Sequence, residues 1–151
     1  MADTSITFQI PKQNLLKLNS TFDLQNIAND TYYLKLLTDV SGLSMDTISG
    51  VTSLSGSEAD PTTYDKVRVN LNLQEETNGY SVKFTDPSIN IALVGLDELI
   101  IKGICIVLEK NNQMYVFCAD LGIGTVKIGN NQTINFTGDL LRIGDTCPVL
   151  G

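Results

Sequence analysis

Any chemistry in this chain has to be done by carboxylates, hydroxyls and three cysteines, because its 151 residues include no histidine. That absence removes the commonest general base and zinc ligand, and with them every Ser/His or Cys/His catalytic pair. Carboxylates can still move protons or hold a cation, and Asp97, Glu98, Glu109, Asp120, Asp139 and Asp145 are the acids to consider. None belongs to a motif. A calcium loop needs acids or amides at alternate positions with a glycine and a distant glutamate, which the residues after Asp120 do not supply. Asp97 and Glu98 read as turn residues. Gly122 and Gly124 lack the strand-to-helix setting of a phosphate loop and read as a tight connection. Three scattered cysteines fit no zinc spacing, so no catalytic residue, metal or cofactor is assigned and the chain is not read as an enzyme.

Two of those thiols are placed by a hairpin. A turn at Asn111 and Asn112 pairs Lys110 with Gln113 and sets Cys105 opposite Cys118, close enough for a cross-strand thiol pair. No secretion signal is visible, so reduced, buried thiols are expected over a disulfide. Cys147, beside Pro148, has no evident partner.

The elements that position these residues are strands. Short runs of β-branched and aromatic residues alternate with polar ones, and no window holds a helical period. In residues 5–10, Ile6, Phe8 and Ile10 share a face and Pro11 ends the run. Residues 31–40 are apolar on most of both faces, which predicts an internal strand. A hairpin over 66–85 is expected to turn at Asn78 and Gly79, with Thr77 opposite Tyr80 and Leu73 opposite Phe84. The hairpin over 103–120 is apolar on both faces and needs cover on both. A third, over 125–137, would match Val126 with Phe136 and Ile128 with Ile134 around a loop at 130–132. The sum is one all-β domain over 1–151, an antiparallel sandwich or barrel of roughly eight strands.

Residues 41–64 break the alternation. They are rich in Ser, Thr and Gly, yet Met45, Ile48, Val51 and Leu54 recur every third residue. Burying four such side chains is worth up to about 6–12 kcal/mol, so they are expected to rest on something. Extended, the segment spans roughly 80 Å, enough to reach a neighbouring subunit. The alternatives are a plug folded back over the chain's own sandwich and a lid over a ligand. Leu43, Met45, Ile48, Val51, Leu54 and Tyr64 are accordingly the candidate protein-interaction residues.

A net charge of −7 repels phosphate backbones and anionic lipid, which disfavours nucleic acid and membrane as partners. Carbohydrate or ligand binding is the main alternative to assembly. It would need exposed aromatic platforms, but there is no tryptophan and only Tyr64 lies outside the apparent strands. Eight Lys against two Arg, abundant Asn, a small β body, Ser/Thr/Gly-rich joining segments and no catalytic constellation together resemble the minor virion proteins of tailed bacteriophages. The resemblance is in general character and brings no motif. It implies a head-decoration, head-tail connector or tail subunit that forms homo-oligomers, docks on other virion proteins and is assembled into a virion in the host cytoplasm.

Overall fold

Alternation decides which face of each strand is apolar, and partner choice then decides the fold. The computed structural model describes residues 8–11, 14, 22, 27–46, 48, 67–76, 79–85, 88–135 and 141–144. Over these residues the chain is all-β, as the alternation predicts, with antiparallel sheets, no α-helical element and no closed barrel.

A central sheet runs in the order β2 (Val67–Val69), β1 (Thr31–Leu37), β7 (Gly103–Lys110) and β8 (Gln113–Asp120). The strand expected to be internal is internal: β1 pairs with β2 through Tyr33↔Arg68 and with β7 through Tyr33↔Val107. Its side chains divide between two cores, Tyr32, Leu34 and Leu36 entering the larger one and Leu37 the smaller. The outer edge of β8 is met by the amino-terminal run, where Gln9 and Ala119 exchange both backbone hydrogen bonds at 2.9 Å. Phe8 and Ile10 flank that bridge and are buried in the larger core, so this part of the alternation holds; Ile6 lies outside the described residues.

The other strands are β3 (Leu71–Glu76), β4 (Gly79–Phe84), β5 (Ser88–Ile91), β6 (Glu98–Ile101), β9 (Val126–Gly129), β10 (Gln132–Asn135) and β11 (Leu141–Gly144). They form a three-stranded sheet β11-β4-β3 and two ribbons, β10-β5 and β6-β9. The described residues hold eleven strands against the expected eight, because the 66–73 stretch that reads as one strand is divided in two and β5, β6 and β11 lie where no strand was expected. At Asn70 it leaves β1 for β4, and the Asn70 carbonyl accepts the Thr85 N–H at 2.8 Å.

Three registers differ from the sequence reading. In the 66–85 hairpin, Leu73 faces Val82 and Leu71 faces Phe84, with Glu76 against Gly79, so residues 77–78 join the strands. Because the slip is by two residues, Leu71, Leu73, Val82 and Phe84 keep the face that alternation assigns. The hairpin expected over 125–137 is replaced outright. β9 pairs with β6 (Ile128↔Leu99) and β10 with β5 (Ile134↔Ile89), so two far strands take the place of one near partner. In the 103–120 hairpin the turn is as expected, with Asn111 and Asn112 both at positive φ, 53° and 62°. A bulge then intervenes: Val107 pairs with Val116, but Ile106 pairs with Cys118, leaving Phe117 as the extra residue. Phe117 and Cys118 therefore both enter the larger core, while Val116 and Ala119 enter the smaller. Phe117 meets Phe22 and Tyr32 there with ring centroids 5.3 Å away in each case. Its burial is worth about 1.5–3 kcal/mol, more than the roughly 0.5–1.5 kcal/mol of one disrupted ladder bond.

Candidate functional site

The segment that begins at residue 41 folds onto its own molecule as far as it is described. After β1, Ser41 N–H donates to Asp39 Oδ1 at 2.9 Å and Leu43 N–H to the Val40 carbonyl at 3.1 Å, turning the chain back. The Ser41 backbone bond, helped by the Ser41 side chain, holds the Asp39 carboxyl below its usual value against the opposing effect of burial, and the Lys102 charge adds least. Asp46 N–H then donates to Ser44 Oγ and Ile48 N–H to the Ser44 carbonyl, both at 3.1 Å. Both bonds return to Ser44, and Met45 and Ile48, three residues apart, reach the same core.

Leu43, Met45 and Ile48 cover the second face of the central sheet, over Leu37, Cys105, Val107, Val116 and Ala119. Ile48 is 1% exposed; Leu43 and Met45 are half-buried. The 103–120 hairpin thus finds cover on both faces inside one copy of the chain, the larger core on one side and this turn on the other. An arm that carries Leu43, Met45 and Ile48 to a neighbour is therefore not what this part of the segment forms. Val51, Leu54 and Tyr64 lie outside the described residues.

Cys105 and Cys118 are both buried thiols outside any disulfide, and they do not oppose each other. The bulge sets Cys105 opposite Ala119 and turns Cys118 into the other core, which corrects the face-to-face pair expected from an uninterrupted hairpin. Burial pushes the Cys118 thiol well above its usual value, Cys105 nearby pushes it further, and a hydrogen bond with the Ile106 backbone opposes them weakly. A thiol held neutral is a packing group.

Among the described residues no three of the acids gather. Asp97, Glu98 and Glu109 are exposed, and Asp120 is half-buried with its Oδ1 accepting the Gly122 N–H at 2.8 Å. Asp139 and Asp145 lie outside the described residues. Among the described residues no three side chains are grouped to hold a metal ion, and no helix is long and apolar enough to cross a membrane. Tyr32 is buried, while Tyr33 and Tyr115 are half-buried, so none of these three offers an open platform for a sugar ring.

Sequence reasoning missed a different feature. Strands β5 and β6 run antiparallel to β10 and β9 as one interrupted ribbon, in which residues 92–97 stand opposite only Asn130 and Asn131. Amides stitch the interruption. Asn130 Oδ1 accepts the Leu93 N–H at 2.9 Å, Asn90 Nδ2 donates to the Asn131 carbonyl at 2.9 Å, and Asn130 N–H donates to the Asp97 carbonyl at 3.2 Å. Asn131 accepts a left-handed φ of 59°, which an Asn tolerates. The loop and β6 leave Val94, Leu96 and Ile100 exposed at 52%, 37% and 43%. Along β6, Leu99 and Ile101 point inward while Glu98 and Ile100 point out, with Lys127 paired to Ile100 on the outer face. The run 99–101 reads as uniformly apolar; only its partner count shows that one face stays open.

Compared with known proteins, the chain matches no family model, no curated protein and no solved structure.

Proposed function

We propose that this chain is a structural assembly subunit that works by docking on other protein chains rather than by catalysis. The observation that carries the reading is the position of Val94, Leu96 and Ile100. They are the large apolar side chains left exposed among the described residues, and all fall within seven residues of one amide-stitched ribbon. Apolar side chains gathered on a rigid element mark a protein contact more often than scattered ones do. The contact surface we propose is thus the 94–100 ribbon rather than Leu43, Met45 and Ile48. The setting we propose is the virion of a tailed phage, assembled in the host cytoplasm, for which the support is the compositional resemblance described above. Immunogold labelling of particles sedimented from producing cells tests both parts. Regular labelling of particles is expected, and a chain that never sediments with any larger assembly would overturn the reading.

A further inference from the structure

Charge and shape on β6 point to a specific occupant for the open face. Asp97 and Glu98 lie at its start, exposed Ile100 at its centre, and exposed Lys102 just past its end. Exposure alternates from Glu98 to Lys102, with buried Ile101 between Ile100 and Lys102, so Glu98, Ile100 and Lys102 project alike. Glu98 and Lys102, each two residues from Ile100, carry opposite charges either side of an apolar centre, with Asp97 one residue further out. We propose that a second copy of this chain docks there, with the two β6 strands antiparallel across a two-fold axis at Ile100. The axis stacks Ile100 on its counterpart and sets Glu98 of each copy against Lys102 of the other, the self-complementarity that an isologous contact requires. Elsewhere a chain of net charge −7 repels its own copies; in this contact Glu98 and Lys102 of one copy compensate Lys102 and Glu98 of the other.

The Lys102 charge also acts weakly on Asp39 within its own molecule, so both the charge pattern and the fold have to be read in any variant. Three partly exposed apolar side chains are far fewer than the roughly 20–30 residues a side of a standard interface, so the dimer is weak, with a Kd on the order of 100 µM. The inference rests on the assembly reading and names its partner.

Sedimentation velocity of the full chain from about 10 µM to about 1 mM, bracketing that Kd, tests it. Wild type is expected to gain mass with concentration. Ile100→Asp is expected to abolish the gain, and Glu98→Lys or Lys102→Glu alone to weaken association about tenfold. The double reversal is expected to restore it to within about threefold of wild type, with far-UV circular dichroism unchanged throughout. A wild type that stays monomeric over the range overturns the second-copy inference, whereas the assembly reading stands or falls on particle labelling. Association that ignores Ile100→Asp, or that the double reversal fails to recover, overturns this face.

Discussion

The Asn14 side-chain amide donates to the carbonyl of Val116 at 2.6 Å, joining residues 102 apart in sequence inside the protein. Just beyond the Gln9 to Ala119 bridge, the chain turns away from β8 through a bond from Asn14 N–H to the Pro11 carbonyl. The side chain then supplies the donor that a continued strand would have placed there. Asn14→Ala strands a buried carbonyl and is expected to cost about 1–3 kcal/mol in urea unfolding. Faster amide exchange at Ala119 should accompany the loss. Wild-type stability in this variant would mean that the bond carries no weight.

Ile48 discriminates between a turn seated on its own sheet and an arm seated elsewhere. With the side chain buried against Val107 and Val116, Ile48→Ala is expected to cost about 2–4 kcal/mol in a dilute, monomeric sample. No change in the denaturation midpoint of the dilute protein would show that Ile48 packs only in an assembly.

Gly103 faces Leu37 across the β1 to β7 pairing, and a Cβ there would lie 2.7 Å from Val40 Cγ1 and 3.1 Å from Leu37 Cδ1. Gly103→Ala is expected to destabilise by about 1–3 kcal/mol through overpacking. Val40→Ala should recover part of the loss, because it removes the nearest obstructing atom. Purely additive losses in the double variant would place the strain elsewhere.

The buried thiols set an alkaline limit. Burial holds the Cys118 thiol well above its ordinary value, so the unfolded chain loses this proton at a lower pH than the folded one. Its contribution is complete below the unfolded value and is lost as pH rises from about 9 towards the folded value, by up to about 1.4 kcal/mol per pH unit. Stability measured from pH 8 to about 10.5 should fall, and fall less steeply in Cys118→Ala. Peptide mapping after alkylation should find Cys105 and Cys118 modified only once denaturant is added. Rapid labelling in the native state would contradict their burial.

How much of this was legible beforehand differs from strand to strand. The internal place of β1 follows from its own side chains, since a strand apolar at Tyr32, Leu34, Leu36 and Leu37 has no face to give to water. The Asn111 and Asn112 turn is equally local, because its positive φ values select the residue type. Phe117 is different. Its shift out of register is set by Phe22 and Tyr32, which reach it from 95 and 85 residues away, and no window around the hairpin contains them. β9 and β10 fail for the same reason: Val126, Ile128 and Ile134 tell which face is apolar but not which strand lies alongside. The fold class was therefore readable, while the open face of β6 was not, since Ile100 is left exposed by the pairing and not by its neighbours in sequence.

The place of β1 between β2 and β7 has a consequence for synthesis. Both of its partners follow it in the chain, ending at Val69 and Lys110, so β1 leaves the ribosome before either can pair with it, and β7 comes last. At about 5–20 residues per second, the 73 residues between Leu37 and Lys110 take several seconds to emerge. Through that interval Leu34 and Leu36 have no β7 to lie against, and a bound chaperone or a polysome neighbour is the nearest substitute. Yield in the cell should thus depend on holdase supply and on elongation rate through residues 70–110 more than on the stability of the finished molecule.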